Sequence, residues 1–226
     1  MISLKNKSVS NIVKMKNNKI EDEFSQEELN KIIELVYDGN VEDYVEDDLS
    51  DLKYFKNLEF LTLVNFCINK KESKNIFTIP KLKELVLYDV KIEYLEFLTQ
   101  MNLESLSFIN CCFENNVDFS KLNFLKSIEL VNMKEVDLKQ LEQFKSLTSL
   151  SLSYSNIKNI ELLKQFDYLE EIDLDNTNVQ YISFLNEWKN LKKISLSEEQ
   201  INSNKDIINL LKEKKVKIYI NNVFED

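Results

Sequence analysis

The chain has 226 residues, of which 29 are basic and 39 acidic, and its formal net charge is −10. Every basic residue is a lysine, and arginine and histidine are absent. The negative charge and the lack of guanidinium groups argue against a nucleic-acid-binding protein. Glycine and proline occur once each, at Gly39 and Pro80, and a single glycine excludes a glycine-rich phosphate loop.

The sequence has no run of 18 apolar residues, and its first twenty residues carry five lysines without the apolar core of a signal peptide. We therefore predict a cytoplasmic protein with no membrane partner. The three cysteines are Cys67, Cys111 and Cys112, an odd number with two adjacent, which predicts buried, reduced thiols. Without histidine to complete a site, we predict neither a metal nor a cofactor.

The N-terminal part divides into a basic arm, residues 1–24, and a cap with the start of the repeats, residues 25–56. Ser25 and Glu28 form a capping-box pattern, and Leu29 begins a helical spacing of apolar residues that predicts a helix over 25–37, ended by Gly39. Residues 21–51 contain thirteen acidic residues and one lysine. The sequence allows an electrostatic contact between this acidic segment and the lysine arm, and it does not decide whether the contact lies within one molecule or between two.

The central part, residues 57–201, repeats one apolar string seven times, with leucine-like residues at positions one, four, six and, in six of the copies, eleven. The strings begin at Leu58, Leu82, Leu103, Leu125, Leu147, Leu169 and Leu191, so their starts are 24, 21, 22, 22, 22 and 22 residues apart. The alternation at positions four and six predicts a strand with one buried face.

Between the strings, apolar residues recur every third position, as in Ile157, Ile160, Leu163 and Phe166. This period fits short 3₁₀-like segments better than long α-helices. Each unit is too small to bury its own apolar face, so we expect successive units to stack. In the last part, residues 202–226, the pattern predicts a helix over Asn204 to Lys214 and a final strand containing Val216, Ile218 and Ile220.

At these strings the sequence resembles the leucine-rich repeat superfamily, in its 22-residue internalin-like and phosphatase-regulator-like subclass. The resemblance covers about residues 45–220 and implies an α/β solenoid, a curved right-handed array with a parallel sheet on the concave face, short helical or 3₁₀ segments on the convex face, and helical caps. The family usually has asparagine at position nine, whereas here the polar column falls one residue earlier, at Asn65, Asp89, Asn110, Asn132 and Asn176.

The outward strand positions are the candidate binding surface, because stacked repeats align them into one face. Over the seven strings they carry ten acidic residues and four lysines. We predict partner contacts from an apolar stripe, the aromatic Tyr154 and an acidic group; these residues are Phe60, Val64, Val86, Tyr88, Ile109, Val131, Tyr154, Glu171, Asp173 and Asp175. Two alternatives stay open: the arm covers the stripe, or the stripe reflects only the preference of strands for such residues.

The absence of histidine removes the usual catalytic triads and imidazole metal ligands, and we predict no enzymatic activity. Asp173 and Asp175 share a strand face about 7 Å apart, which is a poor geometry for calcium.

The leading hypothesis is a protein–protein interaction module for a partner with a basic or mixed apolar and basic surface. The resemblance to bacterial cytoplasmic repeat proteins suggests a scaffold, a regulatory subunit or an inhibitor such as an immunity protein. The first alternative is a secreted or injected virulence effector that acts on host proteins. A less favoured alternative is an enzyme with a carboxylate-based site.

Overall fold

The computed structural model describes residues 1–39, 48–113, 119, 122, 124–221 and 223–224. The chain forms two compact units. The first contains Met1–Leu106 with Asn110–Asp118, and the second contains Ser107–Ile109 with Phe119–Asp226. Glu42, Asp43, Glu46 and Asp47, which belong to the predicted acidic segment, lie outside the described residues.

The first unit begins with a folded N-terminal segment rather than an extended arm. Its elements are β1 (Ile2–Ser3), α1 (Lys7–Asn17), β2 (Glu23–Phe24), α2 (Gln26–Asn30) and β3 (Glu34–Asp38). Strands β1 and β2 pair antiparallel. Asn6 caps α1 by accepting a hydrogen bond from the Val9 N–H, which satisfies one of the donors left open at a helix start.

Three lysines of this segment, Lys5, Lys14 and Lys19, form ion pairs with acidic residues that follow in the same chain. The Lys5 ammonium lies 2.8 Å from Asp48, and the Lys19 ammonium lies 3.1 Å from Glu28. The buried Asp51 carboxylate accepts the backbone N–H groups of Lys5 and Asn6 at 2.7 and 3.1 Å. Helix α1 packs against β3 and α2. The contact between arm and acidic segment, left open by the sequence, is therefore made within the molecule.

The predicted helix over 25–37 is wrong beyond Asn30. The Ser25–Glu28 capping box is present and starts α2, but the chain then turns and enters β3. Leu35 and Tyr37 are buried while Glu34, Val36 and Asp38 are exposed. Parallel pairing with the next strand outweighed the helical spacing, because a strand places both buried residues on one face. Gly39 therefore follows a strand and ends no helix.

The repeats of the first unit continue this strand arrangement. Its further elements are β4 (Phe60–Val64), β5 (Cys67–Ile68), α3 (Lys70–Phe77), β6 (Glu84–Tyr88), β7 (Lys91–Ile92), β8 (Ser105–Ile109) and β9 (Cys112–Phe113). Strands β3, β4 and β6 pair in parallel, and β5, β7 and β9 form a second, smaller parallel sheet. The boundary between the units falls within β8. Single 3₁₀ segments cover Leu49–Tyr54 and Glu96–Gln100.

The second unit repeats the pattern with shorter strands. Its elements are β10 (Ser127–Val131), β11 (Val136–Asp137), β12 (Ser149–Ser151), β13 (Ile157–Lys158), β14 (Glu171–Asp173), β15 (Lys193–Leu196), α4 (Glu198–Ser203), α5 (Lys205–Glu213), β16 (Lys217–Ile220) and β17 (Val223–Phe224). Strands β10, β12, β14, β15 and β16 pair in parallel, and β17 returns antiparallel. The predicted 3₁₀ segments are present at Ile160–Gln165 and Ser183–Glu187.

The core consists of rows of apolar side chains from successive strands. In the second unit one continuous row joins five residues that are all buried, Ile128, Leu150, Ile172, Ile194 and Ile218. In the first unit the equivalent row joins Leu35, Leu61 and Leu85. Each such side chain contributes about 1.5–3 kcal/mol by leaving water, so the repeated string directly supplies the core.

The C-terminal cap contains the helix and strand that the sequence predicted. Helix α5 corresponds to the predicted helix, and β16 to the predicted last strand. Gln200 in α4 is buried and fixes the cap to the preceding turn, since its amide donates to the carbonyls of Leu174 and Val179 at 3.0 and 2.8 Å. Asn204 binds the Gln180 carbonyl at 2.8 Å in the same manner.

Candidate functional site

The outward side chains of β3, β4 and β6 form a three-by-three arrangement in the first unit, which we call the outer grid. The strand register defines its rows, which are Glu34–Phe60–Glu84, Val36–Thr62–Val86 and Asp38–Val64–Tyr88. The opposite faces of these strands carry the buried residues of the core. The strand alternation therefore fixes which nine side chains face away from the core.

Five of the nine side chains of the outer grid are apolar or aromatic. Val36 is 48% exposed and Tyr88 is 43% exposed, while Phe60, Val64 and Val86 are partly exposed. A sheet face open to water normally carries polar residues at such positions. The structure thus brings together the predicted residues Phe60, Val64, Val86 and Tyr88.

Val36 belongs to the same surface and was missed by the sequence reasoning, because residues 25–37 were predicted to be helical. The sequence nevertheless contains a pattern that predicts a strand here. Ile32, Leu35 and Tyr37 have the spacing one, four, six of the repeated string, so they form an additional copy ahead of the seven identified.

The charged side chains of the outer grid are all acidic. Glu34, Asp38 and Glu84 are exposed, and the grid contains no lysine. The Asp38 carboxylate accepts a hydrogen bond from the Asn65 amide at 3.2 Å. Beside the grid, the Lys83 ammonium is paired with Glu59 at 2.6 Å. The apolar residues are consequently bordered by negative charge, which favours a basic partner.

The polar column just after the strands has a conformational function. Its residues Asn65, Asp89, Asn110, Asn132 and Asn176 all adopt left-handed backbone angles, with φ between 52° and 58°. Asparagine and aspartate tolerate this region better than other residues with a Cβ atom. Tyr154 occupies the same position in the fifth string and is also left-handed, with φ of 59°, and its side chain is 51% exposed.

The other predicted site residues lie in the second unit and differ in accessibility. Ile109 and Val131 are partly exposed, and Glu171 is exposed with its carboxylate 3.4 Å from the Lys193 ammonium. Asp173 is partly exposed between Ser151 and Ser195 in the strand register.

Asp175 is buried, so the prediction that it faces a partner is wrong. Its N–H donates to the Asp173 carboxylate at 3.0 Å, and its own carboxylate accepts from the Asn176 amide at 2.9 Å. The second contact holds the Asp175 side chain against Asn176, the left-handed residue that follows it. Burial raises the pKa of Asp173 and of Asp175, and the Asn176 hydrogen bond partly opposes the shift at Asp175.

The chemistry available among the described residues is limited. No group of three cysteine, aspartate or glutamate side chains within residues 1–39, 48–113, 119, 122, 124–221 and 223–224 is arranged to hold a metal ion. Of the three cysteines, which are thiols, Cys111 is buried, but Cys112 is exposed, contrary to the expectation of buried thiols. No helix in the described part of the chain is long and apolar enough to cross a membrane.

The repeated strands, turns and 3₁₀ segments can be compared with solved structures. Internalin C2 of Listeria monocytogenes superposes with a TM-score of 0.66 at 17% identity, covering 97% of this chain and all of that chain. The fold is that of the leucine-rich repeat proteins. Internalin F of the same species gives a TM-score of 0.62 at 18% identity over 95% of this chain and 62% of its own.

A leucine-rich repeat protein of Leptospira interrogans gives a TM-score of 0.55 at 20% identity, covering 85% of this chain and 49% of its own. No protein-family model and no curated protein matches the sequence. The resemblance drawn from the repeated strings is therefore confirmed at the level of the fold.

Proposed function

We propose that the protein is a non-enzymatic interaction module whose outer grid binds another protein with a basic or mixed apolar and basic surface. The observation that carries this proposal is the set of five exposed or partly exposed apolar side chains on one strand face of the first unit. Burying aromatic and aliphatic side chains supplies affinity at a protein interface. Tyr88 and Phe60 are the aromatic members and hence the expected anchors.

The charge around the outer grid supports the partner's chemistry. Glu34, Asp38 and Glu84 add three carboxylates to the grid in a chain of net charge −10. Such a field accelerates association with a basic surface and disfavours an acidic one. Within this class, a scaffold, a regulatory subunit and an inhibitor of the immunity type are all served by one binding face.

The non-enzymatic part of the proposal is supported by the state of the carboxylates. The sequence contains no histidine, and Asp175 is buried and hydrogen-bonded within its own turn. The Asp173 carboxylate accepts bonds from the Asp175 N–H and from the Ser151 hydroxyl at 3.0 and 3.3 Å. These bonds hold it in place as part of the strand end. Tyr154, Glu171 and Asp173 remain candidates for a separate contact on the second unit.

The experiment compares affinity capture by the natural protein and by the double variant Phe60→Ser with Tyr88→Ser. The bait is incubated with extract of its own cells, and captured proteins are quantified by mass spectrometry. We expect a captured protein with a basic binding region that is lost with the double variant. Its binding to the purified natural chain, measured by calorimetry, should weaken at higher salt because the contact is partly electrostatic.

The matched control is Tyr181→Ser, which removes an aromatic side chain that is 75% exposed in the second unit. This variant should retain the partner. Thermal unfolding is measured for all three proteins; Tyr181→Ser should resemble the natural chain, while the double variant should unfold at a lower temperature because Phe60 is partly buried, and capture is compared where all three are folded. Equal capture by the natural chain and the folded double variant would reject the outer grid as the binding surface.

We also propose that this binding takes place in the cytoplasm. Fractionation of the cells distinguishes this location from the effector alternative, since an effector would accumulate outside the cell or in host material.

A further inference from the structure

A second surface of the first unit has the opposite charge from the outer grid. Four residues of α3 lie at helical positions i, i+3, i+4 and i+7 and so share one side of the helix: Lys70, Ser73, Lys74 and Phe77. With Tyr94, Phe97 and Gln100 they line a cavity of about 180 Å³, which we call the lysine pocket. Helix α3 packs against the 3₁₀ segment Glu96–Gln100 that supplies Phe97 and Gln100.

The walls of the lysine pocket are largely aromatic. Phe77 is 48% exposed although it is a large apolar side chain, Tyr94 is partly exposed, and Phe97 is buried. An apolar cavity of about 150 Å³ is large enough for benzene, whereas sites for drug-sized molecules measure about 300–1,000 Å³. The lysine pocket is therefore suited to one apolar side chain of a larger ligand.

The charges at the lysine pocket are positive. Among the residues that the structure describes, neither Lys70 nor Lys74 has a carboxylate within 4.0 Å of its ammonium, and the Lys70 ammonium lies 5.8 Å from the centre of the Tyr94 ring. Two acidic side chains lie nearby but outside the pocket lining, and their hydrogen bonds to neutral donors leave their charge in place. Glu96 accepts the Tyr94 hydroxyl at 2.8 Å, and the buried Glu72 accepts the Leu49 N–H at 2.9 Å.

The position of Lys70 is not explained by helix stability. It is the first residue of α3, where the helix dipole disfavours a cation, and the Asn69 side chain caps that end. A ligand that brings its own carboxylates would supply what the two pocket lysines lack.

We infer that the lysine pocket binds an acidic peptide segment of a partner protein, which inserts one aromatic or aliphatic side chain beside Phe77 and Phe97 and places flanking carboxylates at Lys70 and Lys74. The shape accounts for one inserted side chain, and the charge accounts for its acidic neighbours. This site is separate from the outer grid, and its ligand has the opposite charge. The two surfaces therefore bind different segments.

The test uses the full-length, isotopically labelled protein and three synthetic peptides, acetyl-Asp-Phe-Asp-amide, acetyl-Lys-Phe-Lys-amide and acetyl-Asp-Ser-Asp-amide. Binding is followed by the NMR shifts of backbone amides. We expect the first peptide to shift resonances of residues 70–77 and 94–100, and to bind at least tenfold more tightly than either of the others. The second peptide lacks the charges, and the third lacks the inserted ring.

The variant Lys70→Gln with Lys74→Gln should weaken binding of acetyl-Asp-Phe-Asp-amide at least tenfold. Its matched control, Lys139→Gln with Lys164→Gln, removes the same charge from exposed positions of the second unit and should leave the affinity within twofold. A loss in the control equal to that in the pocket variant would show general charge attraction and overturn the inference.

Two other results would also overturn it. One is a set of shifted resonances outside residues 70–77 and 94–100. The other is binding of acetyl-Asp-Ser-Asp-amide, or of inorganic pyrophosphate, as tight as that of the aromatic peptide, which would indicate a simple anion site. The amide spectrum itself shows whether each variant is folded.

Discussion

At the scale of single residues, the turn after each strand depends on which side chain can adopt left-handed backbone angles. Six of the seven strings have a left-handed residue at this position; it is asparagine or aspartate in five of them and Tyr154, with φ of 59°, in the other. Its N–H still donates to the Asp175 carbonyl of the next repeat at 2.9 Å, as the Asn132 N–H donates to the Ser153 carbonyl. The backbone of Tyr154 is therefore held in a conformation that costs a residue with an ordinary Cβ atom about 1–2 kcal/mol.

Replacing Tyr154 by asparagine should raise the free energy of unfolding by about 0.5–1 kcal/mol, because asparagine accepts this conformation at lower cost. Urea unfolding followed by circular dichroism measures the change. Tyr154→Ala is the control, since it removes the same half-exposed ring without introducing that tolerance. An equal gain in both variants would assign the effect to the ring and contradict the explanation by backbone strain.

At the scale of elements, a buried carboxylate connects the N-terminal segment to the rest of the first unit. Asp51 lies in the 3₁₀ segment Leu49–Tyr54, and one of its oxygens receives the N–H groups of Lys5 and Asn6. Asn6 in turn caps α1. The Lys5 side chain adds an exposed pair with Asp48, and this hydrogen-bonded pairing lowers the pKa of Asp48. The order of α1 thus depends on a residue more than forty positions later.

Asp51→Ala should detach this segment, because two backbone donors lose their acceptor at a cost of about 1–3 kcal/mol. Hydrogen exchange measured by mass spectrometry should become faster in residues 5–17 while β10 to β16 keep their protection. Lys5→Gln is the control and should change exchange far less, since it removes only an exposed ion pair. If residues 5–17 of Asp51→Ala keep their protection from hydrogen exchange, Asp51 is not what holds the N-terminal segment in place.

At the scale of the whole molecule, stability in a repeat array is a sum of local terms between neighbouring strands. Leu152 illustrates this, because it is fully buried just after β12, and β12 pairs with β10 and β14. No strand of this kind buries its apolar face alone. A defect in one repeat should therefore weaken that repeat and its sequence neighbours most.

Leu152→Ala should lower the free energy of unfolding by about 2–5 kcal/mol through the cavity that it leaves. Leu152→Met nearly conserves volume and should cost less than about 1.5 kcal/mol. Calorimetry gives both values, and hydrogen exchange should show the largest loss of protection in β10, β12 and β14. If the alanine variant loses less than about 1 kcal/mol, the core around Leu152 is not tightly packed.

The sequence by itself determined the repeat fold, because the spacing one, four, six makes each strand bury alternate residues, and a strand so short has to pack against the next. It also indicated Phe60, Val64, Val86 and Tyr88 as outward residues, since strand alternation is local. Only the tertiary structure decided that residues 34–38 form a strand and contribute Val36. The helical and strand spacings of that segment are both satisfied, and pairing with β4 selects one of them.

The burial of Asp175 and the assembly of the lysine pocket were also decided in three dimensions. Asp175 has the strand spacing of an exposed residue, but its side chain is buried and accepts a hydrogen bond from the Asn176 amide. The lysine pocket is lined by α3 and by residues about twenty positions later in the chain. Neither segment contains a sequence motif from which its contact with the other could be predicted. Local periodicity is written in the sequence, whereas contacts between segments depend on the packing of the finished fold.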